Sequence, residues 1–392
     1  MFTIRKITKR KDLKKFVRFP TNLYKDCKNY IPPMEMDEYK MATKRNAHYK
    51  ECEQAYFLAE DENGKVVGRI ACIIMHPFNE KNNAKYARFS RFDVIENEEV
   101  ARALLQTAED WAREHGMEYI HGPLGYDDLE REGLMVYGFE HRGSYITSYN
   151  YPYYQTYIEN YGYTPDAKWV EWRFNFPQKM DARVDRIANI VENRYGFHEE
   201  EFKTLNGLIR KHGDDFFDLM DESFAELYGT MPMNDELRKQ VISMFKLILK
   251  KKYLCLVFDK KDKLIGFGLT WPSLAEAMRK SKGRALPFGF VHWLKALRKP
   301  EELEFGIISV RKEYQKLGVT AFIIKKLFDR VCQMPNVKTG VTGVQLETNT
   351  GAISSLEMFE RELIRKKTCY IKKLTEDAKP EKKKTKKEKD EK

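Results

Sequence analysis

The stretch AYFLAEDENGKVVGRIA, residues 55–71, is an apolar run, a turn cluster and a second apolar run, the pattern of a β-hairpin. The stretch YLCLVFDKKDKLIGFG, residues 253–268, spells the same pattern about 198 positions later. The elements after each hairpin also match. Ala87 to Ile95 reads as a strand, Glu98 to His115 as an amphipathic helix closed by Gly116, and Met117 to Ile120 as a strand. Their partners are a strand at Leu303 to Val310, a helix at Gly318 to Gln333 and a strand at Val341 to Thr348. Each half then offers a helix start near an Asn (Asn150, Asn349) and a closing strand, at Lys168 to Phe176 and Lys366 to Leu374. The order strand, helices, hairpin, strand, helix, strand, helix, strand is performed twice, which predicts two similar α+β domains over 1–178 and 179–374, with a Lys-rich disordered tail at 375–392.

Composition agrees with two folded units. At 392 residues, with 42% apolar and 13% aromatic side chains, the chain is long enough for two cores and excludes a disulfide-stapled peptide or a wholly disordered chain. The formal charge of +11 is local: +4 lies in Lys379 to Lys392 and +7 in Met278 to Lys299, which holds seven Lys or Arg and no acid. A near-neutral remainder argues against a surface built for nucleic acid. No stretch has the 18 or so apolar residues of a membrane span, and no apolar signal comes after Met1, so a cytoplasmic protein is expected. The six cysteines form no Cys-x-x-Cys pair and have no His at zinc spacing, so they are read as reduced and mostly buried, and no metal is expected.

Between the second-half strand and helix stands VRKEYQKLGVTA, residues 310–321. A strand that turns tightly into a helix aims free backbone N–H groups and the positive helix end at an anion, and Gly lets the backbone approach closely. Arg311, Lys312 and Lys316 are at hand as cations. Gln315, Lys316, Leu317, Gly318, Val319 and Thr320 resemble the Gln/Arg-x-x-Gly-x-Gly/Ala pyrophosphate loop of the GNAT superfamily of acyl-CoA-dependent N-acyltransferases, with Thr320 where that family has Gly or Ala. The whole of about residues 1 to 374 is similar to a group of two-domain bacterial GNAT-like proteins, through Phe19 to Tyr24, Tyr30 to Pro33, His121 to Gly125 and Asn150 to Tyr154.

The resemblance implies a mixed, mostly antiparallel sheet flanked by helices in each domain, and acetyl-CoA or another acyl-CoA as donor to an amine. It nominates Glu304, eleven residues before Gln315, as general base, with a rim carboxylate as the plain alternative. It also nominates the N–H of Ser309 or Val310 as donor to the thioester carbonyl. Asn349 and Ala352 match a helix start where the Asn contacts the coenzyme, although an N-cap accounts for the Asn equally well. The family's helix Tyr is missing, and Tyr370 on the last strand is a remote substitute as acid. In the first half, Asp93 to Val100 carries four acids and no Gly, so no coenzyme is expected there.

Three other features stand out. Tyrosines crowd positions 145–163, as packing or as a pocket lining. The acidic segment Gly125 to Gly133 is read as an ammonium site or a solvated loop. Phe290, Leu294 and Leu297, with Lys295, Arg298 and Lys299, form a short basic amphipathic helix in the insertion at 278–299, a candidate membrane contact. The expected function is acyl transfer from acyl-CoA to a primary amine. The alternatives are a non-catalytic acyl-CoA or ligand-binding protein and long-chain transfer to a lipid amine at a membrane.

Overall fold

The computed structural model describes residues 1–374, and the tail expected at 375–392 lies outside them. The first half runs β1 (Phe2–Lys6), α1 (Arg10–Leu23), α2 (Glu35–Met41), β2 (Cys52–Asp61), β3 (Val66–Met75), α3 (His76–Asn82) and β4 (Tyr86–Val94). It continues with α4 (Glu98–Glu114), β5 (Tyr119–Gly122), β6 (Leu134–Tyr137), α5 (Tyr153–Asn160) and β7 (Thr164–Asn175). The second half runs α6 (Ala182–Asn193), β8 (His198–Glu199), α7 (Leu205–Phe224), α8 (Asp235–Ile248), β9 (Leu254–Phe258), β10 (Leu264–Pro272), α9 (Ala275–Ser281) and α10 (Gly289–Arg298). It ends with β11 (Glu302–Val310), α11 (Val319–Val331), β12 (Thr339–Thr342), β13 (Gln345–Leu346), α12 (Thr350–Ser354) and β14 (Arg361–Lys373).

The two hairpins repeat down to their turn chemistry. Asp61 accepts bonds from the N–H groups of Asn63 and Lys65, and Asp259 does the same for Lys261 and Lys263. The helix expected at Asn150 starts instead at Tyr153, because Asn150 clamps both backbone groups of Met135 on β6. Of the six free cysteines, Cys72, Cys255 and Cys369 are buried and Cys332 is exposed, so half rather than most are hidden.

The strands form one sheet in the order β1-β2-β3-β4-β5-β14-β7-β12-β11-β10-β9-β8, with β6 beside β14 and β13 beside β7. Among the described residues, only β4/β5 and β11/β12 pair in parallel. The closing strands are exchanged: β7, from the first half, pairs with β12 and β13, while β14, from the second, pairs with β5 and β6. At the seam the carboxylate of Glu171 on β7 meets Arg365 and Lys367 on β14, and all three are at most 1% exposed in their side chains. Burial pulls the Lys367 ammonium down to about 7 against the opposing pull of Glu171. Separate cores lie on either side, one built on α4 and α5, the other on α7, α8 and α11. No helix among the described residues is long and apolar enough to cross a membrane.

Candidate active site

Each half contains a strand that loses its partner midway. The β4/β5 pairing ends at Arg88 and His121, and the β11/β12 pairing ends at Phe305 and Thr342. Beyond these points Ser90–Val94 and Gly306–Val310 have no neighbouring strand on that side, so the sheet opens into two wedges. Ile95 donates to Val67 O, and Arg311 donates to Ile265 O, so both N–H groups point back into the sheet. By alternation, the N–H and C=O of the preceding residues, Val94 and Val310, face their wedges. The two valines occupy equivalent places, and six residues upstream so do Arg88 and Glu304.

The first wedge is filled. The Tyr154 hydroxyl lies 2.8 Å from Val94 N and 3.0 Å from Val94 O. It also lies 2.9 Å from the hydroxyl of Tyr24, which donates to Asp93. Asp93 is held in turn by Arg69 at 2.7 Å. Asn97 caps α4 through Val100 N, with Glu98 and Glu99 in the first turn. Most of the tyrosine cluster is thus packing, as the rings of Tyr151, Tyr153 and Tyr154 stack.

The second wedge is not. Val310 O accepts from Gln315 Nε2 at 3.2 Å, and no side chain among the described residues caps Val310 N–H. A 3-10 turn over Lys312–Leu317 leads to Gly318, whose φ of +82° suits glycine, and α11 starts there without a side-chain cap. Ile187 of α6 would lie 2.5 Å from a Cβ on Gly318, a second reason that only glycine fits. Leu317 and Val319 anchor the loop in the core beneath. Thr320 is half-buried. Of the two backbone donors expected on β11, that of Val310 faces the wedge, while that of Ser309 points by alternation toward β10.

The structure revises the loop's cations. Arg311 donates to Leu264 O and pairs with Glu222, and Lys312 pairs with Glu226 at 2.7 Å. Lys316 is exposed, with no ion pair among the described residues, and is the cation left for a phosphate. Asn349 serves as the cap of α12 through Ala352 N at 3.2 Å.

Glu304 is fully buried on β11, accepting bonds from Ser273 Oγ at 2.9 Å and Trp271 Nε1 at 3.1 Å. Burial pushes its carboxyl up to about 7, against the lowering effect of those two bonds. The indole of Trp271 lies across Gly306. Tyr370 does not join this group. Glu304 is level with Glu362 on β14, three strands away, and Tyr370 lies eight residues further along; at ordinary sheet spacings that is about 14 Å across and 26 Å along. Its ring belongs to the first-half core, and its hydroxyl donates to Glu159. The expectation of Tyr370 as a remote candidate acid is therefore corrected, since it lies far from Glu304.

Between the wedges lies a cavity of about 470 Å³. Trp271, Gly306, Ile307, Gly343 and Val344 bring the second wedge to its wall, and Ser90–Asp93 the first. Leu237, Val241, Met244 and Phe245 of α8 make one side apolar. The acidic segment also lines the cavity and is not a solvated loop: Asp127 is buried with His48 Nε2 at 2.7 Å, and Glu130 is held by Arg91. Asp128 lines the cavity without an ion pair among the described residues, and burial together with the charge of Asp127 raises its carboxyl to about 7. Burial pulls the His48 imidazole down, but Asp127 and Glu51 outweigh it and raise it. Sequence reasoning missed His48 and the α8 face, since nothing local ties them to the wedge.

Fold and site define a tandem GNAT-fold protein. Residues 19–122, covering the filled wedge, match the model of the acetyltransferase (GNAT) family. The chain is 24% identical over 389 residues to protein YghO of Escherichia coli (strain K12), covering 95% of both. It is 22% identical over 320 residues to the bacterial ceramide synthase of Caulobacter vibrioides (strain NA1000 / CB15N), covering 78% of this chain and 79% of that one. Among solved structures it is similar to a tandem GNAT protein from the clavulanic acid biosynthesis pathway, at 12% identity and TM-score 0.55, covering 96% and 99% of the two chains. A GCN5-related N-acetyltransferase from Sphaerobacter thermophilus aligns at 11% identity and TM-score 0.51, over 95% and 96%. The family's chemistry uses acyl-CoA, and no cluster of three His, Cys, Asp or Glu suited to a metal is present among the described residues.

Proposed function

We propose that this protein transfers an acyl group from acyl-CoA, held at the second wedge, to a primary amine bound in the cavity between the halves. The observation that carries this is the juxtaposition of an uncapped wedge with a cavity that is apolar along α8 and acidic at Asp128. The α11 N-terminus, Lys316 and the free N–H of Val310 would hold the pyrophosphate and the thioester carbonyl. Asp128 would receive the ammonium and, titrating near 7, take its proton. The amine then attacks the thioester carbon, the C–S bond breaks, and the second proton shed by the nitrogen passes to the thiolate, so that coenzyme A leaves as its thiol. Glu304 supports the strand from behind Trp271 and is a second carboxyl in the right range.

The substrate that suits such a cavity is an amphiphile with an ammonium head and an apolar tail. The name of the Caulobacter relative supports the same class, ceramide being an N-acylated long-chain amine. The test is thiol release from acyl-CoAs of two to sixteen carbons, with short amines and long-chain amino alcohols as acceptors. Turnover is expected with a long-chain amine, and Asp128→Asn should lower kcat/KM about 100-fold, the lower end of general-base contributions. Absence of thiol release with every amine would overturn the reading.

A further inference from the structure

We propose that the α9–α10 insertion docks the protein onto an anionic lipid bilayer. α10 carries apolar side chains on two faces. Trp293, Ala296 and Leu297 turn inward onto Ile31, Leu274 and Met278. Phe290, Val291 and Leu294 remain 43%, 50% and 45% exposed, continuous with Leu286 at 76% and Phe288 at 73%. Five of the twelve exposed large hydrophobics among the described residues thus fall in positions 286–294, too concentrated for scattered surface exposure. The inward face satisfies the fold, and the outward face requires something else to cover it.

Charge decides what that is. Lys282, Lys295, Arg298 and Lys299 are exposed and have no acidic partner among the described residues, and residues 278–299 contain no acid at all. Exposed aromatic and aliphatic groups ringed by unpaired cations suit the boundary between acyl chains and anionic headgroups. A second copy of the same face would set like charges together.

The insertion is also fixed in place beside the cavity. Glu35 N–H donates to Gly283 O at 2.8 Å, and Gly283, at φ +73°, brings its backbone so close to Pro33 that a Cβ would lie 2.1 Å from Pro33 O. Arg284 pairs with Glu35 at 2.6 Å, and Arg18 holds the same carboxylate at 2.7 Å. Met34 and Tyr145 pack against the base of the insertion and also line the cavity. Docking would therefore bring the bilayer to the cavity's rim, giving an apolar substrate a path that avoids water. That path rests on the acyl-transfer reading; the docking itself does not.

The test is co-sedimentation of the full chain with phosphatidylcholine vesicles and with vesicles containing phosphatidylserine, at low and moderate salt. Binding to the anionic vesicles is expected to exceed binding to the neutral ones at least tenfold and to weaken with salt. F288S/V291S/L294S should cut it at least tenfold with an unchanged thermal midpoint, and K295Q/R298Q/K299Q should remove most of the salt dependence, each cation being worth about fivefold. Binding to neither vesicle, or binding that both triple variants leave intact, overturns the proposal. So does a concentration-dependent dimer that F288S/V291S/L294S dissolves in the absence of vesicle binding, which would assign the face to a second copy. Sedimentation requires no turnover, so its outcome and that of the thiol-release assay fail independently.

Discussion

The two wedges share one backbone and differ in what fills them. At Val94 a buried phenol satisfies the strand's outward-facing groups, and an Asn caps the next helix, whose first turn holds two acids. At Val310 only the carbonyl is taken, the helix starts uncapped at a left-handed glycine, and an unpaired lysine stands nearby. Behind these, Arg88 donates to three backbone carbonyls where the other half buries Glu304. In the first half the wedge's polar backbone is satisfied internally, which stabilises it, whereas in the second half the same backbone is left partly free. The family model nonetheless matches this filled half, so overall sequence pattern and an open site have parted company.

The largest expected effect that can sharpen this contrast is at Glu304. Its carboxyl titrates near 7 when folded and near 4.3 when unfolded, so the folded state binds the extra proton between those values and stability falls as pH rises through them. Denaturant midpoints from pH 4.5 to 8 should show wild type losing on the order of 3 kcal/mol relative to Glu304→Gln. Next, Gly318→Asp adds left-handed strain and a negative charge at the helix start, and should weaken coenzyme A binding about 100-fold by calorimetry. Asn97→Asp at the matching place should leave that affinity unchanged, and equal losses would break the contrast. Tyr154→Phe strips Val94 of its partner and should cost about 1–2 kcal/mol in chemical denaturation, with coenzyme affinity intact. The smallest effect is at Lys316: Lys316→Glu should weaken coenzyme binding about fivefold, an effect that salt diminishes, whereas Glu98→Gln should not strengthen it.

Much of this was legible in the chain. The hairpins, their Asp-based turns and the loop before α11 are local patterns, and local patterns survive in sequence. The exchange of closing strands was not legible, because β7 and β14 are both long strands that mix buried with exposed positions, and nothing within either names its neighbour. The acidic stretch Gly125–Gly133 reads as solvated because four carboxylates usually seek water. What hides it comes from afar: His48 before β2, Arg91 on β4 and the backbone bonds of Arg88. Tyr370 misled for a related reason, since an aromatic on the right strand was in the wrong half once that strand crossed over.

That crossover makes the polypeptide, in effect, a strand-swapped dimer whose two subunits happen to be covalently joined. A proteolytic nick between β7 and α6 should leave two fragments that stay together, each holding hostage the strand that completes the other. Neither fragment, expressed alone, would have a finished sheet; its bare edge would invite aggregation until its complement arrived. The filled half and the open half are thus each completed by a strand of the other.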